Sequence, residues 1–400
     1  MSPVSRARRV VARRRAVKPP AARIAVPFID LSAQYRRIKP ELDAAVQAVL
    51  EAGTYVLGEK LDAFEAAFAA RCGCRTGVGV NSGTDALELA LRACGIGPGD
   101  EVLVPALTFM STALAATSIG AVPVITDIEE ASNGIDVEDA ARRITPRTKA
   151  ILPVHLHGQP CDMDGVMALA KRHGLTVIED CAQAIGATVR GRPVGSFGRA
   201  GCFSFYPTKN LGAAGDGGAV VTNDAHVARQ LRLIRNYGTE DKVVFSQFGR
   251  NSRLDELQAA ILLVKMNYLD GWNEARRERA GWYREAFAAA GPLDVRLPQE
   301  LPGRRHVYHL FVVRVPAGLR DRVLLELRKR GIQAMMHYPR PLHLDSIYEG
   351  KPLKAGDLPR AETMAQELLT LPIHPELRRE DVELVVTQFR AALRAAGRRR

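Results

Sequence analysis

The chain has 400 residues, 46% of them apolar and 25% charged, with a formal net charge of +12. Such a length supports two to three domains around a large core, and such a composition excludes fibrous, disordered and membrane-spanning classes. The charge points to nucleic acid only until it is located: eight of the positive charges fall in residues 1–23, which hold no acid, and three are Arg398, Arg399 and Arg400, so the body is nearly neutral.

Residues 1–23 close on Pro19-Pro20, show no apolar periodicity and read as a disordered basic tail. Val10-Val11-Ala12 is too short for a signal-peptide core, and nothing in the chain approaches a membrane span. No aromatic residue interleaves the basic ends and no binding fold follows them, which argues against a nucleic-acid partner. Pro27-Phe-Ile-Asp-Leu reads as a short extended segment. Leu42, Val46, Val49 and Leu50 then mark a helix from Pro40 to a stop at Gly53, and Leu61, Phe64 and Phe68 mark a second from Gly58 to Arg71. Six scattered cysteines (72, 74, 94, 161, 181, 202) fit a reducing cytoplasm, and Cys72-Gly-Cys74 has no second pair at zinc spacing, so no metal is expected.

Strand-like and helix-like pieces then alternate. Val122–Ile125 and Leu175–Ile178 are typical strands, and Ser111–Ile119 and Met163–Arg172 typical helices. Short continuous apolar strands separated by helices predict an α/β sheet covered on both faces. Helices are predicted over 255–269 and 273–290. After Gly291-Pro292 the rhythm changes: Tyr308–Val315 and Gln333–Tyr338 read as strands, Arg320–Arg330 and Glu380–Ala396 as helices. The expected organisation is a large domain over 24–272, a smaller α+β domain over 273–397, and a basic remnant at 398–400.

Three stretches carry chemistry. Asn81-Ser-Gly-Thr-Asp sits where a strand turns into a helix, so Gly83 and Thr84 offer backbone N–H groups at the positive end of a helix dipole, an anion site. Leu175–Asp180 ends an apolar strand with a carboxylate, where open α/β sheets bind ligands. Lys209 lies in an apolar stretch between two strands, where burial would lower its pKa and favour a Schiff base with a carbonyl compound. Each has an ordinary structural explanation when read alone: a helix cap, a second cap, a lysine snorkelling from a strand end. Together, a phosphate site, a strand-end Asp and a buried Lys are what pyridoxal 5′-phosphate requires.

Here the sequence resembles the DegT/DnrJ/EryC1/StrS family of sugar aminotransferases, of fold-type I. The resemblance spans roughly residues 26–395. It rests on Pro27-Phe-Ile-Asp-Leu, Asn81-Ser-Gly-Thr-Asp-Ala-Leu, Thr108-Phe-Met-Ser-Thr, Glu179-Asp-Cys-Ala-Gln-Ala, Ser204-Phe-Tyr-Pro-Thr-Lys-Asn-Leu and Asn251-Ser-Arg-Leu-Asp-Glu-Leu-Gln-Ala-Ala. It implies that Lys209 carries the cofactor covalently, that Asp180 pairs with the pyridine nitrogen, and that Gln183 contacts the ring hydroxyl. Gly83, Thr84 and Ser204 would hold the phosphate, and Phe109 would stack on the ring. Asn251 would reach the neighbouring subunit's cofactor, which implies a homodimer with shared active sites, with Arg250 or Arg253 assisting. His337-Tyr338-Pro, with Pro341-Leu-His343, resembles a family segment near the substrate mouth, which makes His337 and Tyr338 candidate substrate contacts, with His309 of the same histidine cluster beside them. Two positions depart from many members, Ile185 in place of histidine and Asp216 in place of glutamate. The pattern is nearest to members that move an amino group, from L-glutamate, to C3 of a nucleotide-linked 6-deoxy-ketohexose of dTDP type. C4 amination, cyclitol amination and cofactor-dependent dehydration are the alternatives within the family. Many of its dehydratases carry histidine in place of the lysine.

Overall fold

The computed structural model describes residues 24–348 and 352–398. The basic tail expected over 1–23, with Arg399 and Arg400, lies outside them. In chain order the elements begin with α1 (Leu31–Arg37), α2 (Lys39–Ala52) and α3 (Glu59–Arg71), then β1 (Thr76–Val80), α4 (Gly83–Ala93), β2 (Glu101–Pro105), α5 (Ser111–Ser118) and β3 (Val122–Thr126). They continue through α6 (Val137–Arg142), β4 (Thr148–Ile151), α7 (Met163–His173), β5 (Thr176–Asp180) and the short pair β6 (Thr188–Val189) and β7 (Arg192–Pro193). Then come β8 (Ala200–Ser204), β9 (Gly218–Thr222), α8 (Ala225–Arg235), α9 (Glu256–Met266) and α10 (Leu269–Ala289). The last are β10 (Arg304–Arg305), β11 (Phe311–Arg314), α11 (Arg320–Lys329), α12 (Pro359–Glu367), β12 (Leu368–Leu371) and α13 (Arg379–Gly397).

Seven strands form the main sheet in the order β1-β9-β8-β5-β4-β2-β3. Only β9 runs against its neighbours; β5 is parallel to β4 and to β8. This is a mixed α/β sheet that is mainly parallel, as the alternation of strand and helix predicts. The two-residue side-chain period then sorts β8 into two faces. Phe203 and Phe205 point toward α3, where Phe64 and Phe68 meet them edge-on at 5.0–5.3 Å. These four rings are essentially fully buried, each contributing about 1.5–3 kcal/mol. Cys202 points the other way and donates from Sγ to the Ala86 carbonyl of α4. Ser204 shares that face. The aromatic cluster thus anchors one side of β8 while the other is presented to the α4 N-terminus.

A second core gathers Tyr283 and Phe287 of α10, Phe311, Phe389 and residues of α11 and α13 around the antiparallel pair β11–β12. Val26 joins it through a bridge to Ile332, so the N-terminal segment packs with the C-terminal elements.

Several local expectations change. Pro27–Leu31 leads into helix α1, capped by Asp30, whose side chain accepts from the Ala33 N–H. The strand expected over Tyr308–Val315 begins only at Phe311. Tyr308 has φ 44°, and the buried Arg276 guanidinium takes the carbonyls of Tyr308 and His309. The strand expected over Gln333–Tyr338 is reduced to one bridge between Met335 and Thr370. Its alternating pattern is strand-like, but past the bridge the His337 carbonyl pairs with His157 and the Tyr338 hydroxyl with Gln183, while only the His337 ring still reaches Thr370 of β12.

Candidate active site

The site is built where β5, β8 and the α4 N-terminus meet. Ser82 caps α4 by accepting from the Asp85 N–H, so the ordinary capping role is real and belongs to Ser82. The Thr84 hydroxyl is instead 2.7 Å from that of Ser111, at the start of α5. A Cβ on Gly83 would stand 2.6 Å from the Cβ of Ser204, so only glycine lets the helix start approach β8 this closely. Gly83, Thr84, Ser111 and Ser204 therefore form a hydroxyl- and N–H-lined cradle on the positive helix end, suited to a phosphate.

Asp180 ends β5 on the same face. Its Oδ2 accepts from the Thr112 hydroxyl at 2.9 Å and its Oδ1 from the Ala182 N–H at 3.1 Å. Burial raises its pKa, while those two hydrogen bonds and the charge of Lys209 pull it back. Lys209 sits on the tight 205–213 turn after β8, its N–H donating to the Tyr206 carbonyl. Burial lowers its pKa to about 8, against the opposing pull of Asp180. It keeps part of its surface open. A lysine whose pKa is lowered toward neutrality is suited to attack a carbonyl.

Gln183 is held from both ends. Its Oε1 accepts from the His157 N–H at 2.7 Å and its Nε2 donates to Tyr338 Oη at 3.0 Å. Tyr338 in turn lies 5.7 Å, centroid to centroid, from Phe109, which is 57% exposed. His337 stacks on Phe28, and His309 lies buried beside Asn210. Asn251 stands apart from this cluster. It is exposed on the segment that bridges back to Asn236, while its neighbour Ser252 donates to Asp85. Arg250 pairs with Glu88 and Asp85 of its own chain, and Arg253 donates to Asn236.

Sequence reasoning missed the residues that hold these groups: Thr112 on Asp180, Ser111 on Thr84, His157 on Gln183. The run Thr108-Phe-Met-Ser-Thr112 was the available signal, since a helix starting at Ser111 aims both hydroxyls at the strand ends. His155, Glu179 and Cys181 also lie together within the metal-ligand range. Glu179 accepts from the Gly195, Phe197 and Gly198 N–H groups, each at 2.7 Å, and from His155. The Cys161 N–H donates to His155 Nδ1, so Nε2 carries the proton given to Glu179. The group reads as a closed structural network.

A profile of the DegT/DnrJ/EryC1/StrS aminotransferase family matches residues 36–390. The chain belongs to that family. It is 48% identical over 365 residues, 91% of this chain and 95% of the relative, to the dTDP-3-amino-3,4,6-trideoxy-alpha-D-glucose transaminase of Streptomyces venezuelae. The crystal structure of S. venezuelae DesV, 47% identical, superposes with a TM-score of 0.89 over 93% of this chain and 99% of that one. NtdA of Bacillus subtilis, solved with bound cofactor PMP, is 31% identical with a TM-score of 0.85 over 94% of this chain and 86% of that one. This aminotransferase family therefore supplies the fold. The cradle at Gly83, the burial-tuned Lys209 and the raised Asp180 carboxylate fit the three ends of a pyridoxal phosphate: an anion, an aldehyde and a basic ring nitrogen.

Proposed function

We propose that this chain is a pyridoxal-phosphate-dependent sugar aminotransferase. It moves an amino group from L-glutamate to C3 of a dTDP-linked 6-deoxy-ketohexose, in amino-sugar biosynthesis. The observation that carries the reading is the convergence of Lys209, Asp180 and the Gly83–Thr84–Ser204 cradle on one face of the sheet. The C3 position is supported by the similarity to a transaminase named for a 3-amino sugar. The cofactor, when bound, supplies an electron sink and a carrier for the amino group.

The residues would divide the work as follows. Gly83, Thr84 and Ser204 bind the phosphate end and fix its position. Asp180 would face the ring nitrogen and keep a proton there, its carboxylate aimed by Thr112 and the Ala182 N–H. Gln183 would contact the ring hydroxyl from a position set by His157 and Tyr338. Phe109 would cover the ring. Lys209 would hold the cofactor covalently between turnovers and move a proton at Nζ during them, a task suited to an amine with a pKa of about 8. His309, His337 and Tyr338 line the substrate side.

The working unit in this reading is a cytoplasmic homodimer with shared sites. Asn251 is exposed and unengaged by its own cluster, and the neighbouring loop exposes Val243, Val244, Phe245 and Phe248, the last 94% exposed. An apolar loop of this kind favours a protein partner. Among the described residues no helix is long and apolar enough to cross a membrane.

The test is to incubate the protein with L-glutamate and a dTDP-3-keto-6-deoxyhexose. 2-Oxoglutarate and a 3-amino sugar nucleotide should appear one for one. Dehydration without net amino transfer would overturn the reading. Lys209→Ala and Asn251→Ala chains, each crippled alone, should regain activity on mixing, because half of the hybrid's sites carry neither defect. A monomeric active protein would end the shared-site part.

A further inference from the structure

His309 is 7% exposed and its ring makes one hydrogen bond among the described residues, from Nδ1 to Asn210 Oδ1 at 3.1 Å. Its tautomer can be read from two backbone carbonyls some distance away. Asn273 Nδ2 faces the Ile185 carbonyl at 3.0 Å, and a carbonyl can only accept. That fixes Asn273 with its oxygen toward Asn210, whose Nδ2 lies 2.7 Å from it. The same Nδ2 lies 3.1 Å from the Val307 carbonyl, again an obligate acceptor. Asn210 Oδ1 is therefore the atom facing His309, and His309 Nδ1 must carry the hydrogen. Gly186 makes the arrangement possible: a Cβ there would stand 2.6 Å from Asn273 Nδ2.

We infer that Asn273 and Asn210 form an amide relay that locks His309 as the neutral Nδ1–H tautomer. Nε2 is thereby presented beside Lys209 as an acceptor for a hydroxyl or amino group of the bound sugar. This rests on the reading of the site given above and adds a role to His309 and to two positioning residues. The surroundings sustain it. Burial holds the His309 pKa well below the ordinary histidine value, and the groups facing it, Lys209, Arg276, His337 and His157, each disfavour a second proton. Arg276 also takes the His309 carbonyl at 3.3 Å and so fixes the backbone beneath the ring. An imidazole held neutral by its surroundings, beside a lysine of pKa about 8, leaves Lys209 as the group that exchanges protons.

The experiment is 15N NMR of histidine-labelled holoenzyme, with His309→Gln used to identify the resonances. At about pH 7 His309 should show a protonated Nδ1 and a bare Nε2. Asn210→Asp places a carboxylate on Nδ1 and should raise the His309 pKa by about one unit or more. The ring then gains its second proton at a higher pH than in the parent protein, and the acid limb of kcat/KM for the sugar moves up with it. Asn273→Ala removes one of the two acceptors on Asn210 Nδ2 and leaves the Val307 carbonyl, so it should weaken the preference for the Nδ1–H tautomer without abolishing it. A protonated Nε2 in the parent protein, or unchanged ring resonances in Asn210→Asp, would overturn the relay. Cofactor absorbance and 2-oxoglutarate release report separately on the functional reading, so the two can fail independently.

Discussion

Glu179 and Asp180 are neighbours on one strand, both buried, and they face opposite sides of the sheet. Glu179 is saturated: three backbone N–H groups and His155 surround it. Asp180 has one hydroxyl and one N–H, and burial raises its pKa in the direction of the neutral form. A buried carboxylate is stable only when it is paired, protonated or fully hydrogen-bonded. The first face of β5 has closed that requirement within the protein. The second has left it open on the side of Lys209, Gly83 and Ser204. Adjacent acids of similar burial thus differ in whether they hold the fold together or await a cationic partner.

Variants should separate the two faces. The largest effect is expected for Lys209→Ala, a loss of about 10³-fold in kcat with an unchanged denaturation midpoint. On the opposite face, Glu179→Gln keeps one acceptor oxygen and turns the other into an NH2, which strands two of the four donors: either His155 and the Gly195 N–H, or the Phe197 and Gly198 N–H groups. It should lower stability by about 3 kcal/mol, read by denaturant titration, while the folded fraction keeps its kcat. Asp180→Asn should reverse that signature, with stability held or raised and kcat reduced by about 10²-fold. If Glu179→Gln and Asp180→Asn gave the same pattern, the distinction between the faces would be lost. A smaller effect is expected at Thr112→Val, where one hydrogen bond to Asp180 goes, about 1.5 kcal/mol in kcat/KM. The pH dependence sharpens the same contrast. The free amine of Lys209 is the attacking form, so the rate at which cofactor-free protein recaptures pyridoxal phosphate should rise with pH through about 8 and level above it. A surface-like rise continuing toward 10.5 would mean that burial does not tune this lysine.

The parts of the site carried by local signals were legible in the sequence. Gly83 and Thr84 follow from a strand meeting a helix start, and Asp180 and Lys209 from polar residues at the ends of apolar strands. The supporting contacts were not, because they join distant positions. Thr112 reaches Asp180 across 68 residues, and Asn273 reaches Asn210 across 63. No periodicity marks such pairs. The main sheet was readable from its apolar runs, whereas the C-terminal strands were overestimated at both ends. There Arg276 captures the carbonyls of 308 and 309, and Gln183 captures Tyr338. Those tertiary hydrogen bonds override a local pattern that remains strand-like.

Lys265 provides an internal control for the central claim. Burial lowers its pKa to about 8 as well, yet its Nζ donates to the Gly212 carbonyl at 2.7 Å. The decisive measurement is borohydride reduction of the purified, cofactor-loaded protein, followed by peptide mapping. A visible chromophore should disappear on reduction, and one pyridoxyl label should appear, on the Lys209 peptide, with none on Lys265. A label on Lys265 or any other lysine, or no chromophore after loading with pyridoxal phosphate, would contradict the claim.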